Sequence, residues 1–270
     1  MDVGLLMLVG GVAAGAFGSL LGLGGGVLIV PLLTIGFGLP LREAVGVSLV
    51  CVIVTSSASA SVYLQRRQAN LRLGMVLELF TAIGAIAGGL VAFLIDERVL
   101  AALFAALLVY VAVTMVRARP AAVEDEAAPV ASTAQPIASA TATDELVVRR
   151  FPAGVAGSLG AGVISALLGI GGGIVKVPVM HLVMGVPLRV ATATSNLMIG
   201  ITASASAIVY LVRGGIDINA AGPTAVGVFV GATFGSRFGG KVEMRLLRVL
   251  FVGVLLFTAF EMARRAVGAS

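Results

Sequence analysis

The feature that most constrains this chain is a glycine-rich break that occurs twice inside apolar sequence, as Gly22-Leu-Gly-Gly-Gly-Val-Leu-Ile-Val-Pro31 and again as Gly169-Ile-Gly-Gly-Gly-Ile-Val-Lys-Val-Pro178. Glycines let a backbone turn sharply or approach another group closely, and the prolines limit how a helix resumes after the turn. The two breaks are 147 residues apart, and the same offset relates other stretches without gaps. Gly22–Pro31 matches its partner at 6 of 10 positions, Pro40–Ser48 at 5 of 9, and Thr55–Leu64 at 8 of 10. Such self-similarity predicts two copies of one architecture, each organised around a broken helix.

Composition decides the solvent in which those copies fold. Hydrophobic residues make up 59% of the chain and charged residues 11%, with a mean hydropathy of +1.11, whereas roughly a quarter of a soluble domain is charged. Several uncharged runs reach the ~20 residues that cross a hydrocarbon core of ~30 Å. In lipid the backbone must close its hydrogen bonds within each segment. The expectation is therefore an all-α polytopic membrane protein, with the bilayer as its first partner.

The net charge of +5 sits mainly in short loops between apolar runs, which points to membrane topology and not to a nucleic-acid partner. Cys51 is the only cysteine, so an intrachain disulfide and a cysteine metal cluster are excluded. The first residues include Asp2 and lack a basic region, so the first apolar run is expected to stay in the mature protein.

Taken in order, residues 3–21 are apolar, the first break follows, and a second apolar piece runs over 27–38. Pro40-Leu-Arg42 is expected as a loop, with spans over 44–64, 73–95 and 99–116. Between Arg117 and Arg150 the chain becomes rich in Ala, Thr, Pro and Ser, with too few large apolar residues to pack. The organisation expected is a first membrane repeat over 1–117, a flexible cytoplasmic linker over 118–150, and a second repeat over 151–270. The second repeat holds a broken segment over 153–185, a Pro187-Leu-Arg189 loop, and spans over 191–212, 218–236 and 246–263.

Basic residues discriminate between two orientations of the repeats. If every segment crosses, the halves are parallel and Arg plus Lys divide 10 to 7 between the faces. If each glycine-broken segment is a re-entrant hairpin, each half has three crossings and the halves are inverted. The division is then 12 to 5, with Lys176 inside the membrane. The excess of Lys and Arg on cytoplasmic loops favours inversion, with the linker in the cytoplasm.

Inverted repeats with broken helices are a construction of secondary transporters, which hold substrate near the midplane where the breaks converge. A half-helix that starts at the break offers unpaired N–H groups and a positive dipole end, which suits an anion. Gly24, Gly25 and Gly26 supply such a start in one half and Gly171, Gly172 and Gly173 in the other, with Pro31 and Pro178 in structural roles. Glycines can equally serve tight packing alone.

The paired Gly-x-Gly-Gly-Gly-x-x-x-x-Pro turns, each followed by Pro-Leu-Arg, resemble the TauE/SafE family of sulfite and organosulfonate exporters, also called the toluene sulfonate uptake permease family. The resemblance covers nearly the whole chain outside the linker. It implies transport of a small sulfur-containing or carboxylate anion across the cytoplasmic membrane.

Candidate binding residues gather around the breaks. Lys176 stands where the first half has Ile29, and an intramembrane lysine is costly enough to mark function; it either holds the anion or snorkels to the interface. Thr192, Thr194, Ser195 and Asn196 form a polar cluster with Ser48 as the counterpart of Ser195, and Thr55 and Ser57 recur as Thr202 and Ser204. These groups can donate to sulfonate oxygens, or to carbonyls of the broken helices. Glu78 is expected near an interface, where it is the better of the carboxylates for a coupling proton. His181 could shuttle a proton, but is expected to be packed or interfacial. No HExxH, P-loop or dinucleotide pattern is present, so neither a cofactor nor an enzymatic site is expected. The reading at this point is a transporter, with an anion channel or a carboxylate permease as the alternative.

Overall fold

The computed structural model describes residues 3–20, 26–65, 70–117, 150–238 and 244–268, and its elements are helices throughout. The first half contains α1 (Val3–Leu20), α2 (Gly26–Pro31), α3 (Leu41–Gln65), α4 (Leu71–Ala92) and α5 (Glu97–Arg117). The second contains α6 (Phe151–Leu168), α7 (Gly173–Pro178), α8 (Leu188–Val212), α9 (Ile218–Phe238) and α10 (Met244–Val267). Gly24, Gly25 and the stretch 118–149 lie outside the described residues. Five helices among those described are long and apolar enough to cross a membrane. Large apolar side chains such as Leu79, Leu94, Phe257 and Phe260 are exposed on the periphery, as a lipid-facing surface requires.

Each broken segment has the same anatomy. α2 ends at Pro31 and α7 at Pro178, and each continues directly into a π-helical turn, over Leu32–Gly36 and Val179–Val183. A proline has no N–H to give to the carbonyl four residues earlier and its ring crowds that carbonyl, so the winding widens locally. The Pro-Leu-Arg motifs differ from the loops expected of them. Pro40 and Pro187 precede helices whose first residues are Leu41 and Leu188, and their carbonyls accept from Ala44 N and Ala191 N at 3.0 and 2.9 Å. Proline lacks the donor that such a position would leave unused, so it starts these helices instead of interrupting them. Arg42 lies in the first turn of α3 and reaches to the end of α4, donating from Nε to Ala92 O at 3.0 Å and from a terminal nitrogen to Ile95 O.

Helix pairs cross between the halves and repeat at the internal offset. α1 packs on α9, and the equivalent α6 packs on α4. The closest points are glycines whose absent side chains admit a neighbouring backbone. A β-carbon on Gly84 would lie 2.2 Å from Leu159 O, and one on Gly231 would lie 2.0 Å from Val12 O. Each of these pairs is the other shifted by 147 residues.

Residue pairs also give the sense of the contacts. Gly46 meets Gly215 while Gly200 meets Ser56, so α3 and α8 run in opposite directions. Gly74 meets Thr194 and Gly89 meets Val209, so α4 and α8 run in the same direction. α5 pairs with its own counterpart α10. Leu100, Phe104, Leu108, Phe251 and Leu255 are buried in the main apolar core.

Candidate functional site

Gly26, the described end of the first break, lies against the second break, and one hydroxyl joins them. Ser48 on α3 donates to Gly169 O at 2.8 Å and is 3.2 Å from Gly26 O. Carbonyls freed where a helix breaks need a donor when no water reaches them, and the fully buried Ser48 meets that need. Beyond it the backbone of the second break takes the left-handed turn that glycine favours, with φ of 79° at Gly171 and 77° at Gly172. α7 then starts at Gly173 and carries Lys176 one turn on.

Lys176 is 1% exposed and does not snorkel. Its ammonium lies 3.1 Å from Glu78 Oε2 on α4 and also donates to Thr202 Oγ1 on α8. Thr202 in turn donates to Glu78 Oε1 at 2.6 Å, and its oxygen lies 3.1 Å from Met198 O. Three helices therefore close a charge pair and a hydroxyl into one buried ring. Glu78, expected near an interface, is 4% exposed. It stands eight residues into α4, about 10 Å along the helix, where α6, α7 and α8 cover it. Charges taken out of water persist only when each is matched, and here each is the other's match.

The second break is lined by hydroxyls that have no such match. Ser165 on α6 and Ser195 on α8 are both buried, and neither Oγ has a hydrogen-bond partner among the described residues. Both adjoin the glycines. A β-carbon on Gly172 would lie 3.2 Å from Ser165 Cβ and 3.5 Å from Lys176 Cε, and one on Gly173 would lie 3.6 Å from Ser195 Oγ. Buried hydroxyls normally hold a partner, and these two stand open close to Lys176.

The remaining candidates divide. Thr192 Oγ1 is likewise without a partner among the described residues. Thr194 accepts from Asn70 N at 3.0 Å, and Asn70 caps α4 by accepting from Leu73 N at 3.0 Å. Asn196 donates to Thr192 O at 3.1 Å, and Ser57 to Ile53 O at 2.7 Å, so both turn back onto their own helices. Thr55 lies 3.1 Å from Cys51 O. Gly26 touches the other break, with a β-carbon there 2.9 Å from Gly169 O. His181 Nδ1 is 2.9 Å from Val186 O and ties the π-helical turn to the start of α8.

Ser165 and the pairing of Glu78 with Lys176 were missed in the sequence. Ser165 corresponds to Gly18 in the first half, so repeat matching passes over it. The pair leaves a stronger trace: at the counterpart of Lys176 stands Ile29 and at the counterpart of Glu78 stands Ala225, while Thr202 keeps Thr55. Both charges are missing together from the symmetry-related pair of positions, one in each half. Away from this ring, a cleft of about 420 Å³ between α3, α8 and α9 has an apolar lining that includes Val50, Ile53, Ala207 and Ala221, and it offers nothing to a charged ligand.

The geometry can be set beside known proteins. The chain is 24% identical over 266 residues to the probable membrane transporter protein YunE of Bacillus subtilis, covering 96% of each chain. It is 26% identical over 265 residues to the probable membrane transporter protein MJ0441 of Methanocaldococcus jannaschii, covering 93% of this chain and 91% of that one. A second Bacillus subtilis protein, the probable membrane transporter protein YdhB, is 26% identical over 235 residues, covering 87% of this chain and 88% of that one. No solved structure matches. The sulfite exporter TauE/SafE family model matches residues 7–262, both breaks and the ring of Glu78, Lys176 and Thr202 included, and the chain belongs to that family of membrane transporters.

Proposed function

We propose that this protein is a secondary transporter that moves small sulfur-containing oxyanions, of the sulfite, organosulfonate or sulfoacetate type, across the cytoplasmic membrane. The observation that carries this reading is the pair of open hydroxyls, Ser165 and Ser195, beside Gly172, Gly173 and Lys176. A sulfonate presents three acceptor oxygens and one negative charge. Two hydroxyl donors and an ammonium complement it, in a place where water is scarce and unmatched donors are costly.

Alternating access between inverted halves is the mechanism proposed. Its support is the opposite sense of α3 and α8, the shared sense of α4 and α8, and the exchange of equivalent contacts at a constant offset. The breaks meet where those halves meet, joined by Ser48. Rocking one half against the other would then change the face from which this point is reached.

Proteoliposomes holding the purified protein test the reading with isethionate, methanesulfonate, sulfoacetate and sulfite. Uptake that saturates, and trans-stimulation by the same anion inside, are expected. A flux that rises linearly with concentration and is indifferent to anion on the far side would instead indicate a channel.

A further inference from the structure

We propose that Glu78 and Lys176 form a single proton-coupling site, in which protonation of Glu78 hands Lys176 over to the substrate anion. The inference rests on the reading of the chain as an anion transporter and specifies how transport is energised.

The ring places the carboxylate of Glu78 where an anionic substrate would otherwise sit, 3.1 Å from the only ammonium among the described residues that is buried in the bundle. The internal ligand and the external one cannot both hold Lys176, because two anions against one cation would leave a net negative charge away from water. Nor can both be absent, because a bare ammonium would remain. Buried charge of either kind is strongly disfavoured. Two states of the site are neutral: Lys176 with ionised Glu78, and Lys176 with a bound monoanion while Glu78 is protonated. Passing from one to the other takes up one proton and one monoanion from the same side. Reorientation of the two neutral states alone gives tightly coupled, electroneutral cotransport. An outside-acid gradient then drives uptake, and an excess of anion inside drives export with its proton.

The surroundings leave Glu78 in sole charge of this exchange. α6 presents no ionisable group. α7 presents Lys176, the π-helical turn after it presents His181, and α8 presents Tyr210, while the side chain of Arg189 at the start of α8 lies outside those described. His181 faces Val186 O, and Tyr210 donates to Ala166 O at 3.0 Å. Thr202 touches both charged partners and its hydroxyl can turn, so it can donate to Glu78 or to an arriving anion. The positions that symmetry relates to the pair hold Ile29 in the first half and Ala225 in the second. The device is therefore present once, and one proton per anion is the stoichiometry it permits.

The test uses full-length protein in proteoliposomes, voltage clamped with potassium and valinomycin, and isethionate as probe, because its sulfonate stays ionised throughout the working range and any pH effect belongs to the protein. Wild type is expected to concentrate isethionate under an outside-acid gradient with one proton entering per anion. Glu78→Gln should lose gradient-driven accumulation at least tenfold more than it loses isethionate exchange at equal pH. Lys176→Met should lose both activities. The double variant Glu78→Ala with Lys176→Ile, which copies the symmetry-related pair Ala225 and Ile29, serves as a folded and inactive control. Wild-type uptake that moves isethionate without protons overturns the coupling and leaves the transport reading standing, as does accumulation by Glu78→Gln equal to wild type. Absence of isethionate movement in wild type at every pH overturns both.

Discussion

Lys176 and Glu78, 98 residues apart in sequence, meet at 3.1 Å with side chains 1% and 6% exposed. A pair so enclosed gives little net stability against an apolar replacement, but removing one partner strands the other. Lys176→Met and Glu78→Ala should each lower unfolding stability by about 3 kcal/mol, measured by reversible unfolding in mixed micelles. Combining Glu78→Ala with Lys176→Ile should cost less than either single change, because Thr202 keeps its bond to Met198 O and no charge is left behind. Simple additivity of the two losses would show that the side chains act independently, contrary to the ring.

Ser165 and Ser195 should behave in the opposite way. Neither hydroxyl has a partner among the described residues, so replacing either by alanine should leave the stability of the unliganded protein unchanged or raise it, by up to about 1–3 kcal/mol, the penalty of a buried unmatched donor. If they receive sulfonate oxygens, each change should weaken binding of the anion about tenfold, the worth of one hydrogen bond to a charged group. The shift of thermal stability with added isethionate or sulfoacetate reads both quantities in one experiment. Loss of stability without ligand, together with unchanged affinity, would assign these serines to packing.

The contrast between these residues also marks what sequence can disclose. Helices and their breaks were legible because each is written locally, in apolar runs of membrane length and in Gly-Gly-Gly followed by proline. The duplication was legible because Gly22–Pro31 and Gly169–Pro178 still share their residues. Lys176 stood out as an ion in apolar sequence, but its partner depends on how α4 and α8 lie against α7, which no local pattern encodes. Ser165 is invisible for a related reason: a serine on a small-residue helix looks like any packing residue until its lack of a partner is seen. The Pro-Leu-Arg motifs misled because proline both breaks a helix and begins one, and only the carbonyls of Pro40 and Pro187 decide which.

Close approach at the helix crossings should make equivalent glycines equally intolerant. A β-carbon at Gly84 or Gly231 would press to within 2.2 or 2.0 Å of a backbone carbonyl, which cannot move aside as a flexible side chain would. Gly84→Ala and Gly231→Ala are each expected to cost about 1–3 kcal/mol by overpacking. Gly160 and Gly222 have nothing within 4 Å of that position, so Gly160→Ala and Gly222→Ala should be neutral or gain up to about 1 kcal/mol from helix propensity. Unfolding of all four variants side by side checks the pairing of α1 with α9 and of α4 with α6. Equal tolerance at Gly84 and Gly160 would contradict it.

Orientation in the membrane admits an equally direct test, because the chain provides its own background control. Cys51 is buried among Val47, Val52 and Ile53 in the apolar core, and its thiol should stay silent toward impermeant maleimide. Ser132→Cys then adds one reactive thiol to the stretch between the halves. With inverted repeats and the arginine excess of Arg66, Arg67, Arg117 and Arg119 drawn to the cytoplasm, this thiol should react only after cells are opened. A second thiol at Ser270→Cys should react in intact cells, because three crossings after the linker return the chain to the outside. Parallel halves of four crossings each would instead put both thiols on one side, so labelling of both in intact cells, or of neither, would rule out the inversion while leaving the helices themselves untouched.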